Sequence, residues 1–329
     1  MKAAVIYENG DPSVLRYEEI ADPDCRAGYV TIEVEAISLE GGDLLARAYT
    51  PLPVRPHVVG YLCAGVVRQV GAGVDRPSVG DRVVTLGQAG SHAQRRSVPA
   101  AMTWPVPHGM DLATAACVPI AFGTAQECLE AGRGLERGAT VLVHGGAGGV
   151  GMAAIQLAAH AGVTVFATAS SDDKLDRLRT LGLEHGINYV RDDFVEVIAE
   201  RTSGRGVDLI LDPVGGDVLV RSVAALANRG TLVSVGVAAR SGSDIAASAL
   251  WEKNNTLRGV YLGGALRAEY DRVHPMIDAL IGRVGRGELQ VVIDRSFALE
   301  EASAAHTYQE GRGVFGRVVL NVSRRSSSS

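Results

Sequence analysis

Gly146, Gly148 and Gly151 are spaced as G-x-G-x-x-G, and they stand where an apolar run stops. Thr140-Val141-Leu142-Val143 comes before them, and an Ala-rich segment, Met152 to Ala161, comes after. That order reads as strand, tight turn, helix. A glycine at 146 would permit the turn. One at 148 would let the backbone approach a pyrophosphate, and one at 151 would let helix and strand pack closely. Together with Gly149 and Val150 they would surround phosphates lying at the positive end of a helix. The chemistry implied is dinucleotide binding.

The next strand indicates which dinucleotide. An NAD site carries an acidic residue roughly 20 residues beyond the glycines, where it holds the ribose 2′-hydroxyl. Here Val163–Ala169 ends in Ser170-Ser171-Asp172-Asp173-Lys174, with no carboxylate at the strand end itself. Lysine is scarce, present only as Lys2, Lys174 and Lys253, so its placement carries information. A hydroxyl at Ser170 and a cation at Lys174 suit a 2′-phosphate, which favours NADPH over NADH. The same stretch also reads as a first helical turn, with Ser171 as N-cap and both aspartates facing the helix dipole. The two readings are compatible.

The elements that must position these residues change character along the chain. Residues 1–121 are β-rich. Val30–Ile37 alternates at period two, and valine-rich strands at 65–74 and 79–84 are punctuated by Gly and Gly-Asp, as in hairpins of a barrel-like domain. Pro51, Pro53 and Pro56 mark an extended loop before Gly60. Residues 122–261 alternate strand and helix. Strands are predicted at 140–144, 163–169, 187–189, 207–212, 231–236 and 257–260. Helices are predicted at 123–131, 150–161, 172–181, 193–202 and 219–226. This is the pattern of a doubly wound parallel sheet. Val235-Gly236-Val237 would end a strand at the carboxyl edge, on the nicotinamide side. From 262 to 329 a helix over 267–284 leads to strands at 291–293 and 317–322. These resemble the first domain, so the nucleotide domain is expected to be an insertion. The serine-rich tail from about 323 is expected to be disordered.

Composition bounds the partners. The 329 residues are 47% hydrophobic and 21% charged, which supports large cores. The net charge of −5 and the lack of a basic patch argue against nucleic acid. No uncharged apolar run approaches ~18 residues, so no membrane span is expected. Met1–Tyr7 reads as a strand rather than a signal peptide. Cys25, Cys63, Cys117 and Cys128 are scattered without a C-x-x-C, consistent with a reducing cytoplasm.

Three blocks carry a family resemblance: Gly65-x-Val67-x-x-Val70-Gly71 with Gly80-Asp81-Arg82-Val83, Val141–Gly151, and Asp208–Gly216. In order and spacing the chain resembles zinc-independent medium-chain dehydrogenases/reductases of the quinone oxidoreductase and enoyl reductase type. The resemblance implies an α/β architecture: a GroES-like β-rich catalytic domain with an inserted Rossmann domain, NADPH as cofactor, and a homodimer. The zinc branch has a Gly-His-Glu motif and a lobe of four close cysteines. Here Gly60-Tyr61-Leu62 supplies neither ligand and the lobe is missing, so no metal is expected.

Departures from the family pattern fall in the substrate pocket. The usual Asn-x-x-Asp reads Glu40-Gly41-Gly42-Asp43, with Arg47 retained and a following tyrosine replaced by Leu45. The acid usual just after Gly60 is absent, Tyr61 standing there. Related enoyl reductases place a proton-donating tyrosine in the loop after Arg47, which points to Tyr49. Tyr61 is the second candidate. Glu40 is either a buried acid with raised pKa that relays a proton or a partner of Arg47. Asp43 is expected to orient the loop, and His144 to be structural. By resemblance, Thr124 lies near the nicotinamide ribose and Tyr189 near the adenosine phosphate. Thr124 also reads as a helix N-cap.

The expected function is NADPH-dependent hydride transfer to an activated C=C of a small enone, enoyl or quinone-like molecule, without metal. An enoyl reductase of a secondary-metabolite pathway is compatible with the Arg-rich, Lys-poor composition. Two alternatives stay open: an NADPH:quinone reductase, and a nucleotide-binding protein of crystallin-like or sensor type with little catalysis.

Overall fold

Valine and isoleucine dominate Tyr29–Leu39, and nearly all of that stretch is buried because sheet neighbours lie on both of its sides. The computed structural model describes residues 1–132, 136–311 and 313–322. In chain order the first strands are β1 (Lys2–Ile6), β2 (Arg16–Glu19), β3 (Tyr29–Leu39), β4 (His57–Val58), β5 (Leu62–Val70), β6 (Arg82–Leu86), β7 (Arg95–Pro99) and β8 (Thr103–Pro105). Helix α1 (Gly41–Tyr49) follows β3, and α2 (Leu112–Ala116) follows β8. Then come α3 (Val118–Ala131), β9 (Thr140–Val143), α4 (Gly149–His160), β10 (Thr164–Ala169), α5 (Asp172–Arg179), β11 (His185–Asn188), α6 (Phe194–Arg201), β12 (Val207–Asp212), α7 (Gly216–Ala225), β13 (Leu226–Ser234) and β14 (Thr256–Gly259). The chain closes with α8 (Leu262–Ala268), α9 (Tyr270–Gly285), β15 (Ile293–Ala298), α10 (Ala302–Glu310) and β16 (Arg317–Asn321).

The chain forms two compact units, Met1–Pro119 with the segment from Asp278, and Ile120–Ile277. The segment 262–277, assigned above to the first domain, therefore lies in the second unit. In the first unit β2-β1-β4 form a small sheet, and β15-β16-β3-β5-β6-β8 form a larger one in which β7 also pairs with β3. The C-terminal strand does return: β16 runs antiparallel to β3, with Val318 opposite Leu39. Ile37, Leu39, Cys63, Val318 and Leu320 share a core with Leu299, Ala302 and Ala305. Where β3 and β5 bulge, a Cβ on Gly65 would strike the Glu33 carbonyl oxygen, so only glycine fits there.

In the second unit the sheet order is β11-β10-β9-β12-β13-β14, and every pairing is parallel. This is the doubly wound order, with its switch point between β9 and β12. Leu142, Phe166, Ile187, Ile210 and Leu232 fill one face. Helix α4 is buried from Gly151 to Ala158, which explains its alanines: small side chains let a helix lie close to a sheet.

Several limits differ from the sequence reading. Helix α3 begins at Val118 rather than 123, because Pro119 in its first turn is no obstacle. The single helix expected at 267–284 is two, α8 and α9, broken at Glu269 with its non-helical backbone. The strand expected at 291–293 begins only at Ile293 and runs on to Ala298. The tail from 323 lies outside the described residues. Among the described residues no helix is long and apolar enough to cross a membrane.

The glycine contacts generate a paired expectation. A Cβ on Gly151 would lie 2.5 Å from the Gly145 carbonyl oxygen and 2.8 Å from the Gly146 Cα. Gly151→Ala should therefore lower unfolding free energy by about 1–3 kcal/mol. A Cβ on Gly148 meets only the Gly145 oxygen at 3.4 Å, so Gly148→Ala should change stability by less than about 0.5 kcal/mol. Urea denaturation of the two variants checks the contrast.

Candidate functional site

The dinucleotide turn is built between β9 and α4. Gly145, not Gly146, takes the left-handed conformation that makes the turn, with φ +60°. Gly146 is required for a different reason. A side chain there would press on Ala167 at 3.0 Å and Leu178 at 3.1 Å, inside the sheet–helix layer. Gly148 is the N-cap of α4 and is exposed. Gly149, Val150 and Gly151 are its first helical residues, so their backbone N–H groups include the unpaired donors of a helix start. An open cradle at a helix N-terminus, free of a Cβ at its mouth, fits a pyrophosphate.

The neighbouring turn is fixed by a residue that sequence reasoning passed over. Asp212, buried at the end of β12, accepts from the N–H groups of Val214 (2.6 Å) and Gly215 (3.0 Å). Gly236 packs so close to Pro213 that a Cβ would sit 2.6 Å from its oxygen. Val235 and Val237 flank it, Val237 being exposed at the carboxyl edge of the sheet. Thr124 is buried in the interior of α3, so its N-cap reading fails. His144 is buried between Thr168 (Nδ1 to Oγ1, 3.3 Å) and Ser222 (Nε2 to Oγ, 3.0 Å). Burial holds its pKa down to about 3, so it stays neutral.

At the far end of the sheet, Ser171 caps α5 by accepting from the Lys174 N–H at 3.3 Å. The Asp172 carboxylate is engaged by Arg191 (2.5 Å) and Asn188 (3.3 Å), which hold it below the usual carboxylate range. It is therefore committed to protein partners. Ser170 and Lys174 are half-buried beside it, and Tyr189, exposed, follows β11.

The first unit contains a buried charged cluster around the start of α1. Glu40, the N-cap, contacts Arg317 on β16 and accepts from Ser38 Oγ at 2.9 Å. Arg317 Nη2 also reaches Ser38 Oγ (2.7 Å) and the Leu39 carbonyl (3.1 Å). The expected partner of Glu40 was Arg47. Arg47 instead bonds the Gly10 carbonyl, His306 and Glu310, because the helix carries it to the opposite end of α1. Burial pushes the Glu40 carboxyl up, while Arg317 and Ser38 pull it back. Arginine stays charged in proteins, so the carboxylate touching it carries the balancing charge. Glu40 is thus the ion-pair partner of Arg317 and not of Arg47.

Asp43 takes the setting expected for Glu40. It is fully buried, its Oδ2 accepts from the Glu40 N–H at 2.9 Å, and its Oδ1 has no partner among the described residues. Burial pushes its pKa up to about 8. Tyr61 lies across Gly42, where a Cβ would be 2.6 Å from the phenol oxygen. The phenol is held well above its ordinary pKa by burial and then by Asp43 and Glu40. Tyr49, the last residue of α1, is 66% exposed.

Ser91, His92, His306 and Arg47 form a second buried chain, which ends on the more exposed Glu310. Arg47 Nη1 can only donate, so His306 Nδ1 accepts at 3.2 Å. His306 Nε2–H then donates to His92 Nε2 at 3.2 Å, which leaves His92 Nδ1–H to donate to Ser91 Oγ at 3.2 Å. Both rings are neutral. Burial and Arg96 hold His92 down to about 3. Burial, His92 and Arg47 hold His306 well below its usual value. Gly60 packs on this chain so closely that a Cβ would overlap Ser91 and His92.

Arg317, Asp212, His92 and His306 were missed in the sequence. A signal existed only for Arg317, a lone charge opening the apolar run Val318-Val319-Leu320. No group of three His, Cys, Asp or Glu among the described residues could hold a metal. At the position of the zinc motif, Tyr61 is a phenol over Gly42 and Leu62 is buried, so the residues present do not fit a zinc ion.

Comparison with known proteins covers both units. Residues 149–279 match the family profile of zinc-binding dehydrogenases, and residues 26–108 that of the alcohol dehydrogenase GroES-like domain. A 2-haloacrylate reductase of Burkholderia sp is 34% identical over 97% of this chain and 98% of its own length. A quinone oxidoreductase of Pseudomonas syringae superposes with a TM-score of 0.91 at 29% identity, covering 97% of this chain and 99% of that one. The Escherichia coli quinone oxidoreductase complexed with NADPH gives a TM-score of 0.90 at 25% identity, covering 98% of this chain and 100% of that one.

The neutral histidine pair makes stability depend on pH. The folded pKa values lie below the unfolded value of about 6.5, so the contribution is complete above that pH and is lost as pH falls toward 3. Urea midpoints should already fall between about pH 6.5 and 5, above the range where ordinary carboxylates titrate. His306→Gln, which cannot take up that proton, should make this part of the curve shallower, the remainder coming from His92 and His144.

Proposed function

This chain belongs to the medium-chain dehydrogenase/reductase family, and from that premise we propose that it is an NADPH-dependent reductase of an activated C=C in a small enone, enoyl or quinone-like molecule. The observation that carries the reading is the open glycine turn at the start of α4, joined to a strand end that carries a hydroxyl, Ser170, and no carboxylate. Gly146, Gly148, Gly149, Val150 and Gly151 would form the pyrophosphate cradle. Ser170 and Lys174 would meet the 2′-phosphate, and the Asp172 carboxylate beside them bonds Arg191 and Asn188. Tyr189 would flank the adenosine phosphate. Thr124 and Val235-Gly236-Val237 would line the nicotinamide side.

The bound cofactor supplies a hydride. What this chain adds is binding, orientation and a proton. The residues of the first unit do not fit zinc, and an enolate formed at the substrate needs only a hydrogen-bond donor. Tyr61, half-buried beside acidic groups, and Tyr49, at the exposed end of α1, are the donors on offer. The relatives, a 2-haloacrylate reductase and quinone oxidoreductases, support an electrophilic alkene or quinone as the substrate class.

The reading extends to a second copy of this chain as partner. Strand β14 is one edge of the six-stranded sheet among the described strands, β11 being the other, and all four of the β14 residues are exposed. Trp251 and Tyr261 are exposed on either side of it. An unpaired, exposed edge with aromatic side chains on either side of it invites pairing.

Two measurements test these statements. Oxidation of NADPH and NADH, followed by nicotinamide absorbance over a panel of enones, enoyl thioesters and quinones, should show NADPH preferred and turnover unaffected by a chelator. Lys174→Ala should raise KM for NADPH by about tenfold or more and leave KM for NADH nearly unchanged, as expected for one charged hydrogen bond. NADPH binding with no acceptor reduced would favour the non-catalytic alternative. Sedimentation velocity should give a dimer, and Leu257→Glu on β14 should shift it toward monomer.

A further inference from the structure

Two buried carboxylates share the start of α1, and only one has a cationic partner. Arg317 gives its Nη2 to Glu40, Ser38 and the Leu39 carbonyl. Arg96, the other buried guanidinium nearby, directs its donors to the carbonyls of Ala89 and Tyr61, to Thr85 Oγ1 and to Cys63 Sγ. None of its hydrogen bonds goes to a carboxylate. Asp43 therefore has one oxygen on the Glu40 N–H and one with no partner among the described residues. A buried carboxyl oxygen in that position is where a proton resides.

We propose that Asp43 is neutral in the folded enzyme and that its neutral state keeps Tyr61 competent as the proton donor to the substrate enolate. This rests on the reductase reading above. Asp43 is a positioning residue and acts through Tyr61. Gly42 makes room for the ring, and the backbone of Tyr61 is held by its carbonyl, which accepts from Arg96 at 3.0 Å.

The charge logic follows from each group that faces the pair. Glu40 on α1 and Arg317 on β16 cancel each other. Arg96 on β7 favours negative charge nearby. The Cys117 thiol at the end of α2 is pushed up to about 11 by burial and stays neutral. Asp43 is then the group whose state changes within the working pH range. Hydride addition to the substrate β-carbon moves the C=C electron pair toward the carbonyl and leaves an enolate. Breaking the Tyr61 O–H bond gives that enolate its proton and leaves a phenolate, which solvent reprotonates. Beside a neutral Asp43 the developing phenolate is tolerated. Beside an ionised one it faces a second negative charge at short range, and proton donation slows.

The test uses the full-length protein. Initial rates are measured on the best acceptor from about pH 6 to 10 for wild type, Asp43→Asn and Tyr61→Phe. In wild type kcat should decline above about pH 8, the value to which burial pushes Asp43, by up to tenfold per pH unit. Asp43→Asn keeps an acceptor for the Glu40 N–H and should lose that alkaline decline. Tyr61→Phe should lower kcat by about 10²–10⁴-fold with little change in KM. An alkaline limb that persists in Asp43→Asn, or full kcat in Tyr61→Phe, overturns the proposal. Infrared titration of the wild-type protein without substrate addresses the proton separately. A protonated-carboxyl band that disappears near pH 8 supports it, and the absence of such a band at neutral pH overturns it even if Asp43→Asn does not fold. Failure of every acceptor while that band is present would overturn the reductase reading and leave the proton on Asp43 standing.

Discussion

A guanidinium buried in a β-sheet has to be balanced, and in the first unit that requirement organises much else. Arg317 opens the last strand and is 6% exposed. Its charge is met by Glu40, which lies at the junction of β3 and α1. The pair ties the chain's C-terminal strand to the helix start where the acid cluster lies. Removing either partner would leave a buried charge uncompensated, which costs about 3–5 kcal/mol in comparable pairs. Because Glu40 is taken by Arg317, the second acid, Asp43, is left to bury a proton. Ser38 serves both sides of the pair, accepting from Arg317 and donating to Glu40.

In the second unit the comparable constraint is space rather than charge. The turn after β9 must pass close to α4, and three glycines divide the work. Gly145 supplies the backbone conformation, Gly146 the absence of a side chain between sheet and α5, and Gly151 the close approach of helix to turn. Gly148 alone of the set is open, and openness at a helix N-terminus is what a phosphate needs. Packing and binding are thus separate demands, met by different glycines of one motif.

Two further constraints meet at the start of α1. Glu40 provides the negative charge that Arg317 needs. Tyr61 sits over Gly42, in space that any larger residue at 42 would close. The helix start is thus set by one buried arginine and one glycine.

Local patterns were enough to read the parallel sheet, its glycine turn and the return of the C-terminal strand. Each is written in periodicity, in β-branched runs or in glycine spacing, and these act over a few neighbouring residues. The sequence also pointed to Tyr49, Tyr61 and Glu40 as candidates for chemistry and to Asp43 as a residue that orients the loop. It could not show which carboxylate meets which arginine. Glu40 and Arg47 are seven positions apart on a chain that turns helical between them, whereas Arg317 is brought beside Glu40 only by the pairing of β16 with β3. The same holds for His92 and His306, whose shared proton order depends on α10 carrying His306 to the loop between β6 and β7. Ion pairs, tautomers and shifted pKa values are set by approach in space and by loss of water, and only the tertiary structure supplies those.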